Sequence, residues 1–289
     1  MRSKLFVSGA RPELFAKALA TAADAVAIDL EDSVPESGKR QARSAVAAFL
    51  KSSEARKATQ LIIVRTNALG TEHFEADLME LAQPGLTMIN LPKPESAADI
   101  LAAVAMLEDV EASNKLSRPI ELLANVETPA ALRRAVEIAT AHPRVVGLQL
   151  GLGDLFEPLA MDRRDGANVH AAMFAVRMAA AEAGVFAIDG AFADVQDQEG
   201  YRREAEMARG LGYIGKSCIH PSQVDLANQV FEASATEIAV ARRVVEASRE
   251  AKARGHGAFL ADGRMIDAPF LKRAEAIVAA AGFADDEPD

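Results

Sequence analysis

Short apolar runs alternate with longer amphipathic stretches along most of the chain. Residues 4–7, 25–30, 61–64, 86–91, 120–126, 145–150, 185–188 and 212–214 are rich in Val, Ile, Leu and Ala. Runs this short with little polar alternation predict strands buried on both faces, as in a parallel sheet. The segments between them, among them residues 13–21, 39–51, 97–111 and 130–141, predict helices. Strict alternation of strand and helix at this count predicts a (β/α)8 TIM barrel.

The C-terminal tail leaves that rhythm. Ser234-x-x-Glu237 is a capping-box pattern opening a helix toward Arg254. Residues 258–266 surround Asp262-Gly263 and predict a small hairpin, with a last helix starting near Pro269. We expect a catalytic barrel over residues 1–223 and a helical and hairpin extension over 224–289. The extension carries Phe259, Leu260, Met265, Ile266 and Phe270, a set that a monomer would expose unless it folded back or met a partner. It is therefore expected to contribute to an oligomer interface.

Composition narrows the class. Half of the 289 residues are hydrophobic and the mean hydropathy is +0.04, enough for one core the size of a barrel of about 250 residues. No apolar run approaches the roughly 18 residues of a membrane-spanning helix, and the N-terminus enters a strand-like run at once. No membrane association is expected, and the expected location is the cytoplasm. Cys218 is the only cysteine, which rules out an intrachain disulfide and suits a reducing compartment. With 42 acids against 32 bases the net charge is −10, which argues against nucleic acid as a partner. An anionic ligand must be drawn by local basic groups.

Candidate chemistry concentrates where the apolar runs end. Strand two ends in Asp29-Leu-Glu31-Asp32, three in Arg65-Thr-Asn67, four at Lys93, five at Glu127, six in Gly151-Leu-Gly153-Asp154 and seven at Asp189. In a barrel these ends share one mouth, where active sites are built. Buried charges need partners, so charge on strand after strand points away from simple packing. Glu127 and Asp154 offer hard oxygen donors that suit magnesium, with manganese as a second choice, and leave positions open for substrate. Glu127 has another reading, as an acid at the start of the helix announced by Thr128-Pro129. Arg65 is either an ion-pair partner of Asp29 or Glu31 or a planar fork for a substrate carboxylate. Lys93 and Lys216 are charge partners or Schiff-base nucleophiles. His220 before Pro221 reads as a turn residue and Cys218 as a small wall residue. Gly151-Leu-Gly153 lacks the remaining glycine of a phosphate loop.

Several motifs in fixed order carry a resemblance. Arg2-Ser-x-Leu5-Phe-Val-x-Gly9, Asp29-Leu-Glu-Asp-Ser-Val34 with Lys39 and Ala42-Arg43, Val64-Arg65-x-Asn67, Glu127-Thr-Pro129, Gly151-x-Gly-Asp154 and Gly215-Lys-x-x-Ile-His-Pro-x-Gln223 are similar to the citrate lyase β-subunit family. That family is grouped with malyl-CoA and citramalyl-CoA lyases and with HpcH/HpaI-type aldolases. The resemblance implies a magnesium-dependent barrel that makes or breaks a carbon–carbon bond between a 2-oxo acid and an acyl-CoA enolate. By motif matching, Glu127 and Asp154 correspond to the metal ligands and Arg65 to the carboxylate-binding arginine. The family's acid/base aspartate, given by an adjacent protomer of a homotrimer or hexamer, falls at Asp267, which otherwise reads as a helix N-cap. Glu31 and Asp32 join Arg65 and Asp267 as catalytic candidates. Arg2, Lys4, Arg11, Lys39 and Arg43 are candidate contacts for the coenzyme A phosphates, although a solvated helix face also accounts for Lys39 and Arg43. Phe156 and Met161 depart from the small and acidic residues usual after strand six and are expected to alter the mouth.

The expected reaction is cleavage or formation of a 3-hydroxyacyl-CoA such as malyl-CoA or citramalyl-CoA. Three alternatives share some of the same residues. One is an aldolase on free 2-oxo acids without coenzyme A. Another is a Schiff-base aldolase on Lys93 or Lys216. The third is a citrate lyase β subunit acting on an acyl-carrier-protein thioester inside a multi-subunit complex.

Overall fold

The structure is a computed structural model that describes residues 1–253, 255 and 257–282. Eight parallel strands form its centre: β1 Ser3–Ser8, β2 Ala25–Asp29, β3 Leu61–Arg65, β4 Met88–Leu91, β5 Glu121–Val126, β6 Val145–Leu150, β7 Phe186–Ile188 and β8 Lys216–Cys218. They lie in the order β7-β6-β5-β4-β3-β2-β1-β8. A parallel bridge between Asp189 and Lys216 links the open edges and closes the ring. This is the (β/α)8 barrel expected from the sequence.

Strand alternation sorts the apolar residues into two cores. Val26, Ile28, Ile62, Val64, Leu122 and Ala124 join the layer between strands and helices. Ala25, Ala27, Ile63, Met88, Leu123 and Ile188 form a small cluster on the other strand face, inside the barrel. Higher in the lumen the inward residues turn polar, as described below.

Most helices lie where the pattern predicts, with local differences. Lys39–Leu50 is one helix, and Ala97–Asn114 opens on a capping box between Ser96 and Asp99. The helix expected over 130–141 is two short pieces, Pro129–Arg133 and Ala135–Thr140, divided at Arg134. The helix expected over 13–21 is a 3-10 turn, Pro12–Leu14, followed by Phe15–Leu19.

The eighth strand needs a correction. Residues 212–214 are not a strand. Gly212 adopts φ 89° and ends the helix Gln198–Leu211, while the Tyr213 hydroxyl donates to the Met173 carbonyl at 2.8 Å. The strand is Lys216–Cys218, three residues with no solvent exposure that no apolar run announces.

Clustering of contacts divides the chain into Met1–Phe231 and Glu232–Asp289. The barrel unit thus extends past the expected boundary at 223, because Val224, Ala227 and Val230 of helix Pro221–Phe231 join the barrel's core. In the second unit, Ser234 and Glu237 form the expected reciprocal cap of helix Ala235–Ala253; Arg254 lies outside the described residues. Strands β9 Phe259–Ala261 and β10 Arg264–Ile266 pair antiparallel. Asp262 (φ 49°) and Gly263 (φ 76°) supply the two left-handed residues that such a tight turn demands. Helix Ala268–Ala280 follows. Ile266 is buried with Ala241, Val244 and Ala274, and Phe259 packs against them, so these two leave the expected exposed set. Leu260, Met265 and Phe270 remain 74%, 73% and 59% exposed. No helix among the described residues is long and apolar enough to cross a membrane.

Candidate active site

Glu127 directly follows β5 and is almost fully buried. Thr128, not Glu127, caps the following helix, its side chain accepting from Ala131 N at 3.1 Å, with Pro129 at the first helical position. Glu127 is therefore left to face the mouth. Its Oε1 accepts from Lys93 N at 2.8 Å and its Oε2 from Asn125 Nδ2 at 3.1 Å. Burial pushes this carboxyl up to about 7, and the charges of Glu31 and Asp154 push the same way against Arg65 and Lys93. Gly151 makes the room: a Cβ there would lie 2.6 Å from Glu127 Oε2.

Asp154 sits in the first turn of the short helix Leu152–Phe156 and is 41% exposed. Lys93 joins it to the rest of the mouth. The residue takes a left-handed backbone (φ 53°), which aims its N–H at Glu127. Its Nζ lies 2.7 Å from Glu31 Oε1, 3.5 Å from Asp154 Oδ1 and 3.9 Å from Asp32 Oδ1. Burial opposes the charge, yet Glu31 and its neighbours hold the amine above its ordinary range. A charged, paired lysine is a poor Schiff-base nucleophile, so the structure favours the charge-partner reading of Lys93.

Arg65 ends β3 directly beside Asp29 of β2. Nε and Nη2 reach the two Asp29 oxygens at 2.7 and 2.9 Å. Nη1 lies 2.8 Å from Glu31 and 3.2 Å from Asp32. Despite burial, this pairing keeps Asp29 below the usual carboxylate range, whereas burial raises Glu31. The mouth thus gathers Asp29, Glu31, Asp32, Glu127 and Asp154 around the two cations Arg65 and Lys93. The excess of hard, anionic oxygens suits a divalent cation, and magnesium needs only one or two protein carboxylates. Glu127 and the half-exposed Asp154 carry oxygens of that kind.

Most of the expected phosphate contacts lie elsewhere. Lys4 has no exposure; its Nζ is inside the barrel, bonded to Asn90 and Gln149. Arg2 pairs with Asp24 at 3.0 Å, at the N-terminal end of the strands and opposite the mouth. Lys39 is buried and donates to the carbonyls of Leu30 and Glu31 at 2.8 and 2.6 Å, shaping the loop that carries Glu31 and Asp32. Arg43 is buried against Asp77 at 2.6 Å, and Asp77 also accepts from the backbone N and the side-chain Nδ2 of Asn67. Neither Lys39 nor Arg43 is on a solvated face. Arg11, paired with Glu13 just beyond β1, is the one of the five that is exposed on the mouth side.

Lys216 is a charge partner and Cys218 a wall residue, as two of the sequence expectations had it. Lys216 Nζ lies 2.5 Å from both Asp189 and Glu204, fully buried, and closes the barrel instead of facing the mouth. Cys218 bonds to the Tyr201 hydroxyl at 3.2 Å, and burial pushes its thiol up to about 11, consistent with a wall residue. Phe156 is buried in the core and Met161, partly buried, packs against it. Asp267 precedes the last helix, exposed and without a side-chain capping bond. Sequence reasoning missed Asn90, Asn125 and Gln149, all buried in the lumen. Their signal was a single polar residue inside each apolar strand.

A family model for HpcH/HpaI aldolase/citrate lyase matches residues 2–221. An L-malyl-CoA/beta-methylmalyl-CoA lyase of Cereibacter sphaeroides is 35% identical, covering 96% of this chain and 93% of that protein. A (3S)-malyl-CoA thioesterase of the same species is also 35% identical, covering 96% of each. Among solved structures, the protein CitE from Mycobacterium tuberculosis in complex with magnesium, acetoacetate and coenzyme A is 36% identical with a TM-score of 0.77, covering 98% of this chain and 100% of that one. The motifs along the strands and these matches agree, and the chain is an enzyme of the HpcH/HpaI aldolase/citrate lyase family.

Proposed function

We propose that the barrel mouth cleaves or forms the carbon–carbon bond of a 3-hydroxyacyl-CoA such as malyl-CoA, parting it into a 2-oxo acid and an acyl-CoA. The observation that carries this reading is the mouth itself: two metal-suited carboxylates, Glu127 and Asp154, at the same rim as the guanidinium that ends β3. Magnesium held there would polarise the substrate's carbonyl oxygen. Arg65 binds the carboxylate of the 2-oxo acid. In cleavage the hydroxyl proton passes to Glu31 or Asp32, the carbon–carbon bond breaks, a carbonyl forms, and the electron pair leaves as a thioester enolate. That enolate takes a proton on carbon from Asp267 of a neighbouring copy.

The same proposal includes a homotrimer or hexamer in which the C-terminal extension of one copy serves the mouth of the next. Its support is the exposed Leu260, Met265 and Phe270 around an uncapped Asp267. Arg11 is the remaining basic candidate for the coenzyme A phosphates. We place the enzyme in the cytoplasm, where its one cysteine stays unpaired.

A thioesterase relative as similar as the lyase supports a second reading, hydrolysis of the same thioester. One assay separates them. Purified protein with magnesium and malyl-CoA is expected to release a 2-oxo acid, trapped as its phenylhydrazone, without free thiol. Free thiol without 2-oxo acid would make it a thioesterase. Activity on free 2-oxo acids alone would make it a coenzyme-A-independent aldolase.

A further inference from the structure

We propose that Lys4, Asn90 and Asn125 form a one-way hydrogen-bond relay through the barrel lumen that positions Glu127 as a metal ligand. The inference rests on the reading of Glu127 given above. Lys4 Nζ donates to Asn90 Oδ1 at 3.1 Å, Asn90 Nδ2 donates to Asn125 Oδ1 at 2.6 Å, and Asn125 Nδ2 donates to Glu127 Oε2 at 3.1 Å. Lys4, Asn90 and Asn125 have no solvent exposure and Glu127 only 2%. Four buried polar groups from three strands are thus strung in a single line.

The relay has a direction because its ends are chemically different. Lys4 presents N–H donors to both of its amide partners, Asn90 and Gln149. A carboxylate is acceptor-only when ionised. The donor end fixes which way the Asn90 amide faces, and Asn90 in turn fixes Asn125. Reversal of either amide would set N–H against N–H or carbonyl oxygen against carboxylate. Asn90 is further held by its bond to the Leu123 carbonyl at 3.1 Å. The strands supply the spacing: Asn90 is in register with Leu123, so Asn125 and Glu127 rise above it on the same face of the next strand. Lys4 comes from β1, which is not adjacent to β4, so its long side chain crosses the lumen, beside the small Ala25 with which it is in register.

With Lys93 N on Oε1 and Asn125 Nδ2 on Oε2, both oxygens of Glu127 are oriented before any ligand arrives. Outer-shell partners of this kind typically change metal affinity by about 10- to 100-fold when lost. Lys4, Asn90 and Asn125 touch no reacting atom in this scheme and are positioning residues.

The test measures Mn2+ binding by loss of the free-ion electron paramagnetic resonance signal, with thermal midpoints recorded in parallel. Lys4→Met and Asn125→Leu are each expected to weaken Mn2+ by about tenfold or more. The double variant should be no weaker than the weaker single one, because either break cuts the same chain. Gln149→Met, which removes only the side branch, should stay within about twofold of the parent. Unchanged Mn2+ affinity in folded Lys4→Met and Asn125→Leu, or additive losses in the double variant, would overturn the relay. If Lys4→Met fails to fold, Asn90→Leu takes its place under the same criteria. Glu127→Gln separates the two levels: it should abolish tight binding, and if it does not, the ligand reading falls and the relay's purpose with it.

Discussion

Arg65 holds Asp29 through two parallel hydrogen bonds, Nε to Oδ1 at 2.7 Å and Nη2 to Oδ2 at 2.9 Å, across adjacent strands. The structural and the catalytic readings of Arg65 are therefore compatible. Asp29 fixes the plane of the guanidinium, and Nη1 lies toward Glu31 and Asp32. Arg65→Lys keeps a charge but loses the fork. It is expected to lower kcat/KM by roughly 10²-fold, about 3 kcal/mol, and to lower Tm as well, because the buried pair with Asp29 is weakened. Unchanged kcat/KM would leave Arg65 with its ion-pair role only.

Metal dependence follows from Glu127 and Asp154. A chelator should abolish activity, and magnesium or manganese should restore it. Glu127→Gln should weaken metal binding while the far-ultraviolet circular dichroism stays the same. Full activity in excess chelator, together with borohydride trapping of substrate on a lysine, would sink the metal mechanism.

The raised Glu127 carboxyl sets a pH signature. Its folded value of about 7 exceeds the ordinary 4.5, so between these values the metal-free folded protein holds more protons than the unfolded chain. The contribution of this group to stability is then fully present below about 4.5 and is lost as pH rises through 7, by a span on the order of 3 kcal/mol. Magnesium favours the ionised form, so its stabilising effect should grow over the same window. Denaturant midpoints with and without magnesium from about pH 5 to 8 test this. A metal-free slope that Glu127→Gln leaves intact would assign the effect to other groups, such as Asp189, which burial raises to about 6.

A site shared between copies makes a complementation prediction. Asp267→Ala should assemble and bind metal normally yet turn over little. Mixed with Glu127→Gln under subunit exchange, it should recover part of the activity, since some interfaces pair a sound metal site with a sound Asp267. Exchange verified by native mass spectrometry without recovery would refute sharing, as would a fully active monomer.

The barrel and the mouth acids were legible in the sequence for one physical reason. Strands of a parallel barrel are mostly apolar and end at a common rim, so a charge just after an apolar run has its place set by the run. Glu127, Asp154, Arg65 and Lys93 were found that way. Where burial depended on a distant partner, the linear pattern failed. The strand of Lys216 was hidden because its burial is made possible by the pairing of Lys216 with Asp189 and Glu204. Lys39 and Arg43 looked like solvated bases until Leu30, Glu31 and Asp77 were seen to take their charges inside the fold. Lys4 looked like a phosphate contact because nothing near it in sequence reveals that Asn90 and Gln149 meet it in the lumen. The sequence by itself determined the strands and what stands at their ends, since both follow from local hydrophobic pattern. Only the tertiary structure decided which charges lie at the mouth and which are buried against one another, because that choice depends on pairings between residues far apart along the chain.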